Sequence, residues 1–426
     1  MQTSKIAPCV LTLWSTHSFG WGEGTPLPSV IERAVAAKAA GQGLSGAEHA
    51  SSASMFTGLT PEERIAVEAV LRIRGDKDLQ SRVALDIVEV LIEGGRYQNA
   101  LALARKITGY RAGVGAAKVA RASAIAGEME SFRESLAFAG ERSNDLMRTR
   151  QGQVIDAHIA AAHVAAGEDE AAARLRESID LKDQKVLVES LCMSARAERG
   201  DKVSTDAAPS GEKLNVLRPA YLAKAEAILD AAEHRLQSPS AGDVTAGEEE
   251  VLREMLDHAI NWAQRSRADA VAIYARAAGF YRKLGDEANA AKLIARAERH
   301  IEAPSGAISL AHTKRLRALG EWYLTESDQE AVRAKLQAMR DTLEMVPITQ
   351  FAKSAGAAAE FAIQSGEPEL AEEVLGEMLR KSADNPNRRI MELAVCYCAG
   401  TYARLGIDLP DGLSQQIENL AALSPR

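Results

Sequence analysis

Aromatic side chains make up only 4% of this 426-residue chain. A core so short of rings must be filled by smaller groups. Alanine, which has the best helix propensity and little bulk, is visibly the commonest residue and lets helices cross closely. Cysteine is scarce too: Cys9, Cys192, Cys396 and Cys398 are too few and too scattered for a disulfide framework. Cys396 and Cys398 form a Cys-x-Cys pair, but no second cysteine or histidine pair stands at ligand spacing, so no metal is expected. Positive charge is not in excess. With 51 Lys and Arg against 59 Asp and Glu the net charge is −8, which argues against a nucleic-acid surface. No apolar run reaches the roughly 20 residues needed to cross a bilayer. From Thr60 onward alternating β-branched runs are also missing, and apolar residues recur at spacings of three and four, which predicts helices throughout.

What the chain does have is a recurring register. Helix-like runs end at or just before Gly95, Gly127, Gly167, Gly200, Gly285, Gly366 and Gly406. Seven residues before each stand Val88, Ala120, Ala160, Met193, Ala278, Ala359 and Ala399, and five residues after stand Ala100, Phe132, Ala172, Ala290 and Ala371. Small residues at fixed positions and a period of some thirty to forty residues mark a stacked array of helical hairpins. A glycine is expected near Ser327 and is absent; Ser327-Asp-Gln-Glu330 reads as a helix cap there. The spacing also jumps between Gly200 and Gly285, so a degenerate hairpin is expected over 216–264.

The tract Gly95-Arg-Tyr-Gln-Asn-Ala100-Leu-Ala-Leu-Ala104-Arg-Lys-Ile107 resembles the turn and second helix of a tetratricopeptide repeat. Gly285, Ala290, Ile294 and Ala297, and then Gly366, Ala371, Leu375 and Met378, repeat the same ladder. Most units lack the family's first-helix tryptophan and aromatic. The resemblance implies an all-α fold, a right-handed α-solenoid of antiparallel helical hairpins. It further implies that positions thirteen, ten and six before each glycine line a concave groove. Those positions are mostly small and apolar, and the residues able to contact a protein or peptide partner there are Arg121, Ser190, Ser194, Lys353 and Glu360.

Catalytic patterns are weak. Gly41-Gln-Gly43-Leu-Ser-Gly46 spells G-x-G-x-x-G but follows an alanine-rich helix pattern where a dinucleotide site needs a strand. Ser210-Gly-Glu-Lys213 lies in a polar loop without companion motifs. His158 and His163 are five apart, not the four of a zinc-binding H-E-x-x-H pair, and His163 reads as a hydrogen-bonded core histidine. The expected function is a non-enzymatic protein–protein interaction scaffold without a cofactor. The alternative is an enzyme, or an enzyme's regulatory subunit, built on a helical toroid.

Residues 1–22 carry the layout of a secretory signal peptide: Lys5, a short apolar run Ile6–Trp14, and small residues before Trp21 and Glu23. They imply an exported protein, periplasmic or secreted, with a cytoplasmic location as the alternative. Residues 23–59 read as an N-terminal helix from the Ser29–Glu32 capping box to Ala40, followed by a Gly/Ser/Ala linker. Two repeat blocks follow, 60–200 and 216–426, separated by a polar loop over 201–215.

Overall fold

The computed structural model describes residues 56–147, 149–201, 203, 218–237, 246–266, 270–302 and 310–422. The leader, the Ser29–Ala40 helix, the glycine motif at 41–46 and nearly all of the 201–215 loop lie outside them. The described residues form eighteen helices and no strand. In chain order these are α1 (Pro61–Arg72), α2 (Lys77–Glu93), α3 (Tyr97–Ala104), α4 (Tyr110–Ile125), α5 (Met129–Asp145), α6 (Arg150–Ala165), α7 (Asp169–Ser178), α8 (Lys182–Glu198) and α9 (Arg218–Gln237). They continue with α10 (Ala246–Ser266), α11 (Val271–Lys283), α12 (Glu287–Glu302), α13 (Leu310–Thr325), α14 (Gln329–Leu343), α15 (Ile348–Gln364), α16 (Pro368–Ala383), α17 (Arg388–Leu405) and α18 (Asp411–Ala422). The fold is all-α, and α9 with α10 supply a helical hairpin in the degenerate stretch.

The glycine register has a local cause. Gly95, Gly127, Gly167, Gly200, Gly285, Gly366 and Gly406 all have φ between 65° and 88°, a left-handed conformation that glycine adopts without a Cβ clash. In each turn the residue after the glycine donates its backbone N–H to the carbonyl four before the glycine. Examples are Arg96 to Leu91 at 2.7 Å, Glu128 to Ser123 at 2.8 Å and Ile407 to Tyr402 at 3.2 Å. The turn near 327 follows the same rule with a serine in the glycine's place. Ser327 has φ 58°, the only positive φ outside glycine among the described residues, and Asp328 donates to Tyr323 at 3.1 Å. The Asp328 side chain then caps α14 through the Ala331 amide.

The small residues seven before the turn sit at helix crossings. Ala120, Ala160, Ala278, Ala359 and Ala399 are fully buried. In the Ser327 unit this place is taken by Gly320, where a Cβ would come within 2.4 Å of the Phe361 ring of α15. Phe361, itself fully buried, fills the room that the missing side chain leaves.

The array does not end as two free edges. The first helix of each hairpin packs against the next first helix, from α2 through α4, α6, α8, α9, α11, α13 and α15 to α17, and α17 packs against α2. The outer helices α3, α5, α10, α12, α14 and α16 lie against their hairpin partners. α17 has as its close partner not α18, which packs on α16, but α1. The first helix of the described chain thus takes the outer seat of the last hairpin, and the inner helices form a closed ring. One unbroken apolar cluster crosses the join, from Val67 and Val70 of α1 and Ile87 of α2 to Leu393 and Tyr402 of α17 and Leu413 of α18.

Candidate functional site at the ring centre

Closure converts the expected concave groove into an enclosed centre. The residues that meet there follow a register of their own: Asp86, Lys118, His158, Arg276 and Tyr397 each stand nine residues before an anchor glycine. This position points inward because its two flanks are taken by neighbouring inner helices. Lys314 and Lys353, each thirteen before their turn residue, join them.

Charges at the centre are paired between helices. Asp86 of α2 accepts from Lys353 of α15 and from the Tyr397 hydroxyl of α17, both at 2.6 Å. Lys118 of α4 pairs with Glu89 of α2. Arg121 of α4 reaches past α6 to α8, donating to Ser194 at 2.7 Å and to Glu198 at 2.9 Å. Ser194 donates in turn to Asp230 of α9 at 3.0 Å, and Asp230 also accepts from Arg276 of α11 at 3.1 Å. On the other arc Arg317 of α13 donates to Glu360 of α15 at 2.8 Å, and Arg404 of α17 lies 3.5 Å from the other oxygen of Glu360 and 2.9 Å from Glu93 of α2. Burial pushes Glu360 up, but Arg317 and Arg404 outweigh it and hold the carboxyl below its usual range.

Three further groups at the centre are pushed far from their ordinary range. Burial pushes Glu226 of α9 up to about 8, helped by Asp230 and opposed by Arg276 and Lys314. Burial lowers Lys314 of α13 to about 8, with Lys353 adding to the fall while Asp86, Glu89 and Glu226 resist it. Lys314 therefore senses α2, α9 and α15 together, which places it near the middle of the ring. Burial, then Lys118 and Arg121, drive His158 down to about 3, so its imidazole is neutral at any ordinary pH. Among the described residues no group of three or more His, Cys, Asp or Glu could hold a metal ion.

Of the five residues read as groove contacts, Arg121, Ser194, Lys353 and Glu360 come to this centre, where each bonds another helix of the ring. Ser190 does not. It is 1% exposed and donates to the Val186 carbonyl within its own helix, because position ten before the glycine falls in the seam between inner helices. The same seams bury Ala117, Ala157, Ala275 and Cys396. The position nine before the glycine went unread. Its signal was in the chain: charged or polar residues recurring at one place in helices otherwise rich in alanine. His163 is hydrogen-bonded as expected, with Nδ1 2.6 Å from Glu168 and its ring edge-on to Phe132, but it is half-buried at the helix end rather than in the core. Cys192, Cys396 and Cys398 are buried free thiols, and burial pushes Cys192 up to about 11 and Cys398 up to about 12.

No protein-family description and no curated protein matches the chain. Two solved structures resemble it distantly. Ton1535 from Thermococcus onnurineus NA1 is 13% identical, with 77% of this chain and 93% of that one covered at a TM-score of 0.25. A circular tandem repeat protein with novel repeat topology and enhanced subunit contact surfaces is 15% identical, with 85% and 94% covered, also at a TM-score of 0.25. Likenesses this remote say nothing of function. No helix among the described residues is long and apolar enough to cross a membrane.

Proposed function

We propose that this chain is a non-enzymatic protein–protein interaction scaffold, a divergent tetratricopeptide-like array closed into a ring, and that it works after export from the cytoplasm. One observation carries the reading. Most of the central charges are engaged in bonds between helices of the ring, so the surfaces open to a partner are the two rims and the outer helices. A repeat array offers such surface in quantity because each hairpin contacts only its neighbours. Cross-linking in the native cells, read by mass spectrometry, tests it: one protein should join to outer-helix and rim residues in constant proportion. Cross-links spread evenly over many unrelated proteins would overturn the reading. The observed N-terminus of the isolated protein tests export, which a terminus at Met1 or Gln2 would refute.

The second reading, an enzyme or regulatory subunit on a helical toroid, has one observation in its favour. Glu226 and Lys314 both exchange protons near pH 8 in an enclosed centre, and perturbed groups of this kind gather at functional sites. Any turnover found for the ring should fall at least tenfold in Glu226→Gln or Lys314→Met. Turnover unchanged in both removes this reading.

A further inference from the structure

Many outer arginines have carboxylates: Arg253 lies 2.7 Å from Glu249 and 2.5 Å from Asp286, and Arg333 lies 2.9 Å from Glu367. On α12 two arginines and a histidine instead gather around a cavity. Arg296, Arg299 and His300, spaced i, i+3 and i+4, share one face of that helix, and these are the described residues that line a cavity of about 210 Å³. Neither Arg296 nor Arg299 makes an ion pair with a described carboxylate. The Nε of Arg299 donates only to the Ala295 carbonyl, 3.2 Å away.

The cavity is built on a rigid base. Tyr274 of α11, fully buried, stacks on His300 with ring centroids 6.0 Å apart and planes 27° apart. The guanidinium carbon of Arg296 lies 4.9 Å from the centroid of the same tyrosine. That ring fixes the guanidinium plane and leaves its N–H edge for something else. The helix dipole accounts for cations in the last turn, where Arg299 and His300 stand. It does not account for Arg296 a turn earlier. Burial comes first in lowering His300, and the charges acting with it are Arg296, Arg315 and Arg299, all positive. At the start of α13, which packs on α12, His312 has a buried Nδ1 without a hydrogen-bond partner among the described residues. A chain with an excess of acid has gathered cations here and placed no described carboxylate among them.

We propose that this cavity binds a phosphate monoester or inorganic phosphate, held by the forked N–H groups of Arg296 and Arg299 with His300 as a third donor. Arginine suits the task because its planar fork matches two oxyanion oxygens at once. The imidazole gains a proton as the anion arrives, since a dianion reverses the sign of the field that His300 feels.

The test uses the whole chain. Inorganic phosphate and a phosphoserine peptide, each with sulfate and the unphosphorylated peptide as controls, are titrated by calorimetry while the His300 ring is followed by NMR. Saturable binding of phosphate is expected, with an upward shift of the His300 pKa and at least tenfold weaker binding in Arg296→Ala/Arg299→Ala. That variant changes only side chains at the surface and should keep the wild-type helicity. Tighter binding of the phosphopeptide than of phosphate identifies the source as a modified protein; the reverse order identifies a small molecule. No saturation by either probe, or binding unchanged in the double variant with His300 unmoved, overturns the proposal.

Discussion

The seam between α4 and α6 and the seam that closes the ring do the same job with different materials. At α4 and α6 the contact is apolar and very close. A Cβ on Gly113 would come within 2.7 Å of Ile155, and Ala116, Ala117 and Ala120 are fully buried. No side-chain hydrogen bond joins these two helices. At the closing seam the apolar cluster is still present, but directional bonds are laid over it. Lys353 and Tyr397 bind Asp86, Arg404 binds Glu93, the Leu409 amide donates to Glu62 at 3.2 Å, and Arg389 donates to the Arg74 carbonyl at 3.1 Å. Apolar burial is roughly proportional to area and blind to direction. Where a short turn already sets the register, that is enough. Where the two sides are more than 260 residues apart in sequence, charged bonds of fixed geometry select the one correct docking.

The comparison breaks most severely at α1. Val70, fully buried against the last hairpin, becomes an uncompensated buried charge in Val70→Asp. The cost should be roughly 3–5 kcal/mol, and it should fall on the closing seam alone. Small-angle scattering should record a larger radius of gyration while circular dichroism keeps its helical signal. A ring of unchanged radius would mean that α1 is dispensable for closure.

Asp86→Asn keeps the size of the side chain and removes its charge from Lys353 and Tyr397 together. Hydrogen bonds to charged groups contribute about 1.5–3 kcal/mol, so the urea midpoint should drop accordingly. The dependence of stability on salt should weaken as well. A midpoint within error of wild type would make the closing charges decorative.

A seam built by the chain is probed by Gly320→Ala. The new methyl would press on Phe361, and overpacking of this kind costs about 1–3 kcal/mol. Thermal unfolding should fall without any change in radius, which separates this loss from that of Val70→Asp. Smallest of all is Ser327→Gly. It relieves a left-handed serine, a conformation that costs an L-residue roughly 1–2 kcal/mol. Part of that is returned because glycine loses more freedom on folding, so a gain of about 0.5–1 kcal/mol is expected. A fall in stability would mean that the serine hydroxyl, not the backbone, holds that turn.

The hairpins were legible because their determinants are local. A left-handed glycine, an alanine seven before it and a small residue five after it are all fixed by neighbours within a turn or two. Even the exception at 327 could be placed as a helix start from Ser327-Asp-Gln-Glu330, although the cap is the Asp328 side chain and Ser327 takes the left-handed turn position instead. Closure was not legible. It depends on the small rotation between hairpins summed around the array, and no single residue reports that sum. The expectation of an open groove followed from this gap, and it moved the reading of the inner face to positions that lie in seams. Arg121, Ser194 and Glu360 at position six and Lys353 at position thirteen reach the centre, whereas Ser190 at position ten lies in the seam and turns back onto the Val186 carbonyl. Glu226 could not have been found from the glycine register, because the anchor spacing jumps from Gly200 to Gly285 across its hairpin.

The seat taken by α1 also sets a clock. Arg72 and Arg388 are 316 residues apart (388 − 72), and ribosomes add about 5–20 residues per second. α1 therefore waits roughly 15 to 60 seconds for the helix it is meant to touch. Through that interval the face of α1 that will meet α17 is uncovered. The nascent chain is a spiral with one adhesive end, and a second nascent copy presents the matching vacancy. Rings should form cleanly when ribosomes are spaced far apart, and joined chains should accumulate when translation is dense.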